Sequence, residues 1–460
     1  MAKTYRFYDP KQVLLLPPSL DDWLPEEHLA RYVSEVISEL DLSKIIAHYE
    51  REERGYPPYH PVMMTSIIVY GYAVGVRSSR KLEQACVDSV PFRFLAAGNQ
   101  PKHVAIGEFR RIHLPVLEDL FVQALRLAKR NGFLKVGTVA IDGVKMKANA
   151  ALDQNRAHAD LAEAEEQELR RIAKDLLDDA ERIDQAEDAL YGSQRGDELP
   201  PGVRHRKERL ERIRAAKKQL EDEAAERAKE QEAKQKDRAK REAQAASEGR
   251  KLRGRKPSPR EPALDPEAKR NTTDPDSRVM KTRQGFVQGY NAQAAADTDS
   301  NLIVAADVTL EANDVHQLNP MLDQATENLG KRPKKAVADA GYWSEDEVKK
   351  AEKRVDLYVA TTKDWKQRKA LRRAKSPRGR LPKGLSRKER MERKLRTKAG
   401  RATYKLRGAT IEPRFGCVKE EQGVRGFLLR GTDGARGEWR LTCLGHNLLR
   451  MWRMEKAATA

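Results

Sequence analysis

Two short apolar segments that each lead to an aspartate constrain the fold most strongly. The first, residues 136–143, ends at Asp142-Gly143, and the second, residues 334–340, reaches Asp339. Small and β-branched residues bounded by turn residues are typical of strands. An aspartate at the carboxyl end of a strand projects from a rigid sheet edge, where ligands commonly bind. The sequence therefore predicts an α/β fold whose sheet presents two carboxylates.

Further strands and helices complete this predicted core. A helix should follow Ser344, with Glu347 three residues later as a capping box, and another should begin near Glu412-Pro413. Apolar, β-branched runs between polar turns predict additional strands. These strands cover residues 285–297, 302–310, 355–361, 426–431 and 438–442.

Residues 1–130 are expected to form an all-helical domain. Apolar residues spaced three and four apart, such as Val33, Val36, Ile37 and Leu40, predict amphipathic helices. Basic residues at helix starts are suited to phosphate contacts, so this domain is predicted to bind DNA. The alternative is a helical domain that serves packing alone. The candidate DNA contacts are Arg80, Lys81, Arg110 and Arg111.

Residues 151–270 differ in character from the segments on either side. Leu169, Ile172 and Leu176 begin a heptad stripe, which residues 210–220 continue after a Gly- and Pro-rich turn at 192–202. We predict an inserted antiparallel helical hairpin followed by a basic linker at 249–257. The sequence leaves two roles open for this segment, a solvated spacer and a DNA-contacting element. Residues 131–150 and 271–460 would then form the two parts of the catalytic core.

The charge balance points to a polyanionic partner. The chain has a net charge of +19, and residues 371–410 hold 16 Lys or Arg against 2 Glu, a local charge of +14. Such clustering favours nucleic acid over a merely soluble, highly charged protein. The three cysteines form no CxxC pair, which argues against a zinc ribbon. No secretory signal or membrane-length apolar run is visible, so we expect a cytoplasmic, nucleoid-associated protein without membrane contact.

A third carboxylate would complete a metal site with Asp142 and Asp339. Glu412 is the best candidate, with Glu438 and Glu420 as rivals. Three carboxylates suit Mg²⁺ or Mn²⁺, and two ions could stabilise both oxygens of an in-line displacement. Taken singly, an aspartate before glycine is more often a turn residue and a glutamate next to proline is more often a cap, so the combination of the three carries the prediction. The neighbouring side chains predicted to contact DNA are Tyr404, Arg407 and Lys419.

These blocks together resemble the bacterial insertion-sequence transposases of the DDE class. IDGVKMKAN resembles the block around the first aspartate, VADAGYWS the block around the second, and YKLRGATIEPRFGCVK the Tyr–Arg–Glu–Lys signature. Four residues separate Arg407 from Glu412, where the best-known form of the signature has three. The resemblance implies an RNase H-like mixed sheet flanked by helices. It also implies metal-dependent cleavage and strand transfer at terminal inverted repeats, with double-stranded DNA as substrate and target and a homodimer in the DNA complex.

Two alternatives to a transposase stay open from the sequence. One is an RNase H-like nuclease that cuts without joining, and the other is a non-catalytic DNA-binding protein derived from a transposase. The order of blocks along the chain favours the transposase, and all three carboxylates are present. Tyr342 and Trp343, beside Asp339, could stack on an unpaired base or could simply pack in the core.

Overall fold

The amino-terminal part of the chain is a helical bundle built around one strongly apolar helix. The computed structural model describes residues 19–51, 57–187, 201–247, 267–282, 284–382 and 384–459. The bundle comprises α1 (Leu20–Trp23), α2 (Leu29–Glu39), α3 (Ser43–Tyr49), α4 (Pro61–Val74), α5 (Ser79–Asp88), α6 (Val90–Leu95) and α7 (His103–Arg130). Helix α4 is buried on nearly every side, so the neighbouring helices, including α2, α5 and α7, pack around it. The predicted apolar stripe of α2 is confirmed, because Val33, Val36 and Ile37 are buried.

A long helical hairpin follows the first core strand. Strand β1 (Thr138–Lys147) is followed by β2 (Asn155–Ala157), α8 (His158–Glu187), α9 (Pro201–Ser247) and β3 (Lys269–Asn271). β2 pairs with β3 antiparallel and closes the base of the insertion. Leu161 packs against Ile213 and Leu220 between α8 and α9, whereas Leu169 is exposed. Most of the predicted turn at 192–202 and the linker at 249–257 lie outside the described residues.

A mixed sheet forms the centre of the remaining chain. Its other strands are β4 (Arg278–Thr282), β5 (Gly285–Asp297), β6 (Ile303–Thr309), β7 (Lys335–Ala338) and β8 (Asp356–Val359). β1 pairs antiparallel with β5 on one side and parallel with β7 on the other. β4 and β6 share the far edge of β5, and β8 extends the sheet parallel to β7. β1 is therefore an interior strand, held on both edges.

Helices cover this sheet. They are α10 (Leu318–Leu329), α11 (Glu345–Ala351), α12 (Trp365–Arg373), α13 (Arg387–Arg396), α14 (Lys398–Glu420) and α15 (Thr432–Thr459). α14 packs against β1, while α15 joins the sheet at β6 to the bundle at α4 and α7. No helix of the described ranges is both long and apolar enough to cross a membrane.

A buried ion pair locks the bundle to the core. Arg77, from the loop before α5, donates to Glu438 of α15 over 2.5 Å, and the Glu438 side chain is fully buried. The other oxygen of Glu438 accepts the backbone N–H groups of Leu428 and Leu429 at 2.7 and 2.9 Å. Burial raises the pKa of Glu438, and Arg77 opposes that rise. One carboxylate therefore connects the bundle, α15 and the loop before α15.

Two predicted strands were wrong. Residues 438–442 are helical within α15, and residues 426–431 form a loop rather than a strand. The buried positions of α15, including Ala435, Trp439 and Cys443, recur every four residues, which is a helical period that a segment of five residues is too short to reveal.

The helix that carries Glu412 begins at Lys398, so Pro413 lies inside it rather than in its first turn. Proline removes the N–H that would bond to residue 409, and Ala409 is solvent-exposed. Ser344 is the N-cap of α11, but it makes no side-chain capping bond there. Glu347 instead bonds to Asn319 and Lys350.

Removing the buried carboxylate should weaken the whole assembly. In Glu438→Ala, Arg77 is left unpaired in the interior and two backbone N–H groups lose their acceptor. Breaking such a pair costs about 3–5 kcal/mol, so the urea midpoint followed by circular dichroism should fall markedly. Glu420→Ala is the matched control, because its side chain is 72% exposed. Equal midpoints for the two variants would contradict this role.

Candidate active site

Strand pairing brings two aspartates to the same sheet edge. The last parallel pair between β1 and β7 is Ile141 with Ala338, so Asp142 and Asp339 are the next residues on the two strands. Asp142 is not at the end of its strand, as the sequence suggested. β1 continues to Lys147 along β5, and only its pairing with β7 stops at residue 141. The two carboxylates therefore lie at the point where the pairing between β1 and β7 ends.

Each aspartate is fixed by a backbone N–H close behind it. Asp142 accepts from Gly143 at 2.9 Å, and Asp339 accepts from Gly341 at 2.6 Å. A Cβ at residue 341 would lie 2.8 Å from an Asp339 oxygen. A Cβ at residue 143 would lie 2.8 Å from Asp314. Both positions therefore require glycine for close approach.

Helix α14 brings a cation and a third carboxylate to the aspartates. Arg407 donates to Asp142 at 2.8 Å and to Glu412 at 2.5 Å. The Arg407 side chain is 11% exposed, so this guanidinium is largely withdrawn from solvent. Glu412, which accepts from the same guanidinium, is exposed to solvent. Asp142 and Glu412, the first and third of the predicted acidic residues, are thus bonded to the same arginine.

Burial is the largest influence on the pKa of Asp142. Burial raises its pKa to about 6, with Asp339 and Asp314 adding to the rise and Arg407 opposing it. Two carboxylates in a confined space disfavour joint ionisation unless a cation lies near them. The site therefore favours positive charge beside Asp142.

These groups lie in one open groove of about 1260 Å³. Its acidic lining includes Asp142, Asp339 and Glu412, and Glu420 lies at its edge. Basic side chains line the same groove, so acidic and basic groups share it. The basic lining residues are Lys145, Lys147, Lys281, Arg407, Lys419 and Arg425.

The groove suits a divalent cation only after a rearrangement. Its acidic donors are carboxylate oxygens, which hard cations prefer. In the part of the chain that the structure describes, no three His, Cys, Asp or Glu side chains are already grouped to hold a metal ion. Arg407 instead bridges Asp142 and Glu412. A cation shared by Asp142 and Glu412 would have to take the place of this guanidinium.

The sequence missed a fourth carboxylate, Asp314. It lies between β6 and α10, and its Oδ1 accepts from Lys145, Asn291 and Gln293. Asp314 also lies against Gly341, where a Cβ would meet its second oxygen at 3.2 Å. Only the loop position of Asn313-Asp314 after a strand hints at this in the sequence, and an aspartate there is ordinary turn chemistry.

The rivals to Glu412 differ in position. Glu438 is bound to Arg77 in the interior and cannot reach the groove. Glu420 is exposed at the groove edge and pairs with Arg425 at 3.2 Å. Glu412 alone of the three contacts the arginine that holds Asp142.

The predicted DNA contacts fall into two groups around the molecule. Arg80 and Lys81 are exposed in the first turn of α5, and Arg111 is exposed beside Glu108. Arg110 is buried and donates to the Arg77 carbonyl at 2.8 Å, so its prediction as a DNA contact is corrected.

The remaining predicted contacts lie near the carboxylates. Lys419 lines the groove, and Tyr404 lines a neighbouring cavity of about 680 Å³ with Arg407 and Glu412. Tyr342 is fully buried and donates to Gln293, which excludes base stacking by this ring and supports core packing.

Two family models match the chain. Residues 18–111 match the Transposase domain (DUF772), and residues 265–448 match the Transposase DDE domain. The first match spans α1 to α6 and the beginning of α7. The second spans the strands from β3 to β8 together with α14 and most of α15. Together the matches cover more than half of the chain. No curated protein and no solved structure matches it.

Neutralising Asp142 should stabilise the protein in a pH-dependent manner. Its pKa is raised from 3.8 to about 6, so ionising it costs stability above pH 6, and this cost disappears as the pH falls toward 4. Asn mimics the protonated form, and two pKa units correspond to at most about 3 kcal/mol. Asp142→Asn should therefore melt higher than wild type at pH 8 in EDTA.

The difference in melting temperature should shrink between pH 6 and pH 4. Glu420→Gln, with its carboxylate exposed at the groove edge, is the matched control and should show no such trend. A pH-independent difference for Asp142→Asn would contradict the raised pKa.

Proposed function

Since this chain belongs to the insertion-sequence transposases of the DDE class, whose members act on DNA, we propose that it cleaves DNA at the terminal repeats of its element and joins the freed end to target DNA. The observation that carries this proposal is that Asp142, Asp339 and Glu412 line one groove together with basic side chains. The pairing of β1 with β7 and the packing of α14 on β1 support that grouping. We assign the sheet and its covering helices to an RNase H-like core.

We infer that Mg²⁺ or Mn²⁺, as two ions, binds at the carboxylates. Transposases of this class generally use divalent metal ions. Asp142 and Asp339 would hold the metal, with Glu412 as the third ligand. When bound, such ions supply charge stabilisation to the attacking and leaving oxygens of phosphoryl transfer. Gly143 and Gly341 keep both aspartates in place through their N–H groups.

The protein's own cations would position the DNA. Lys419 and Arg407, from α14, face the groove and would contact phosphates beside the carboxylates. Tyr404 would border the same DNA from the neighbouring cavity. Basic residues between 371 and 410 extend this surface, and Arg80 and Lys81 of α5, with Arg111 of α7, offer a second one. A homodimer in the DNA complex would let two such sites act on two ends.

We also infer how the chain divides. The bundle, residues 1–130, would recognise DNA, and residues 131–150 with 271–460 would form the catalytic core. The hairpin and linker, residues 151–270, would be an inserted subdomain.

Carboxylate substitutions should separate chemistry from binding. Asp142→Asn, Asp339→Asn and Glu412→Gln should each abolish Mn²⁺-dependent cleavage of a linear duplex taken from the DNA that flanks the coding sequence. Gel-shift binding of the same duplex should persist, because the phosphate-binding cations remain. Lys229→Met, an exposed position on α9, is the matched control and should cleave normally.

The possible outcomes distinguish the alternatives. Cleavage without strand transfer by wild type would favour a nuclease, and binding without cleavage would favour a non-catalytic DNA-binding protein. Full activity in Glu412→Gln would keep the transposase and move the third ligand to Glu420.

The basic segment should govern the salt dependence of DNA binding. Replacing the exposed Lys375, Arg378 and Arg380 by Gln removes three cations from the loop between α12 and α13. Each lost phosphate contact should reduce the slope of log K against log salt by about 0.9. Fluorescence anisotropy over a salt series measures this slope. Three substitutions on exposed α9 residues, Lys229, Lys234 and Lys240, provide the charge-matched control, and equal slopes would refute the assignment.

A further inference from the structure

Asp314 is the centre of a hydrogen-bond network beside the proposed catalytic carboxylates. Its Oδ1 accepts from Asn291 Nδ2 at 2.7 Å, from Gln293 Nε2 at 2.8 Å and from Lys145 Nζ at 3.3 Å. The donors come from β5 and β1, which pair directly: Asn291 lies opposite Lys145, and Gln293 lies opposite Gly143. A single carboxylate oxygen therefore joins the two central strands of the sheet.

The network extends to the turn that carries Asp339. Tyr342 is fully buried and donates its hydroxyl to Gln293 Oε1, which directs the amide nitrogen of Gln293 toward Asp314. Asn291 is fixed as well, since its amide also donates to the Glu311 carbonyl at 3.0 Å. These bonds leave little freedom for Asp314.

The same bonds argue against Asp314 as a metal ligand. A carboxylate oxygen offers about two lone-pair directions, and Oδ1 already accepts three donors. The second oxygen lies close to Gly341, at the back of the Asp339 turn. Asp314 is therefore a fixed negative charge that faces a lysine.

Lys145 receives a defined position from this charge. Its side chain is 18% exposed, and it lines the groove that contains Asp142 and Asp339. An ammonium group has three donor hydrogens, and Asp314 accepts one of them. Lys145 follows Asp142 by three residues on β1, whereas Lys419 and Arg407 approach from α14. Lys145 is therefore a cation of the groove that comes from β1 and is held in position by Asp314.

We propose that Lys145 binds a phosphate of the DNA strand being cleaved and that Asp314 is a positioning residue, which holds the Lys145 ammonium in place. This inference rests on the proposed DNA cleavage. A phosphodiester between β1 and α14 would meet Lys145 on one side and the α14 cations on the other. No covalent step is assigned to either residue.

The experiment compares Lys145→Met, Lys145→Arg and Asp314→Asn in the full chain, with Lys229→Met as the matched control. Single-turnover cleavage of the linear flanking duplex is measured with Mn²⁺, alongside duplex affinity and melting temperature. Lys145→Met should cleave about 10- to 100-fold more slowly, since a hydrogen bond to a charged group is lost. Duplex affinity should change far less, because many other phosphate contacts persist. Lys145→Arg should recover most of the rate.

Asp314→Asn should slow cleavage in the same way, and the double variant should be no slower than Lys145→Met alone, because both act through one group. The Mn²⁺ concentration for half-maximal cleavage should remain that of wild type. Should Lys145→Met fail to fold, Lys145→Gln replaces it, since this side chain lacks the charge but keeps hydrogen-bond donors.

Three results would overturn the proposal. Wild-type rates in Lys145→Met would remove the phosphate contact. A raised Mn²⁺ requirement in Asp314→Asn alone would make Asp314 a metal ligand. Equal losses of rate and melting temperature in Lys145→Met and Lys145→Arg would indicate a structural lysine. Cleavage by wild type but not by Asp142→Asn tests the proposed function separately. A failure of the proposed function can therefore be told apart from a failure of the Lys145 inference.

Discussion

The crowding of negative charge at one end of the sheet is the constraint on which the site depends. Burial is the main cause that raises the pKa of Asp142, and the nearby carboxylates of Asp339 and Asp314 raise it further. Two cations offset this cost from different sides. Arg407 is bonded to Asp142 from α14, and Lys145 is bonded to Asp314 from β1. Three aspartates and two cations are therefore clustered there, and of these Asp142, Asp339, Arg407 and Lys145 line the groove.

Backbone pairing fixes where that cluster can form. β1 pairs with β5 from Val139 to Lys147, but its pairing with β7 stops at Ile141, so Asp142 is the first residue beyond that pairing. The far end of β1 is also anchored, since Phe427 donates its N–H to the Lys147 carbonyl at 2.8 Å. The following residues of that loop are held by Glu438, which is bonded in turn to Arg77. A continuous set of bonds thus links the helical bundle to the strand that carries Asp142.

The sequence predicted the parts of the site that depend on local pattern. Asp142 and Asp339 follow short apolar runs of the sequence, and Glu412 was identified from its block and its neighbours. Asp314 was not identified, because its partners Asn291 and Lys145 come from other strands and meet it only after folding. Register between strands distant in sequence leaves no local signature in a single chain.

The errors have the same physical origin. Residues 438–442 look like a strand because five residues are too few to separate alternation from helical period. Arg110 looks like a phosphate contact because a basic residue in a helix is usually exposed, but here its guanidinium caps the Arg77 carbonyl in the interior. The sequence predicted Arg407 only as a DNA contact. Its bonds to two carboxylates follow from how α14 packs on β1.

The inserted hairpin fits this arrangement because it is tied to the groove wall and not only to its own partner helix. Glu223 of α9 accepts from Arg278 at the start of β4 at 2.7 Å, and it also pairs with Arg270 of β3. Gln219 bonds to Asp276, which in turn accepts the backbone N–H of Thr432 where α15 begins. β4 ends at Lys281 and Thr282, which line the groove. The hairpin is therefore bonded both to the strand that leads into the groove lining and to the residue at which α15, the helix of Glu438, begins.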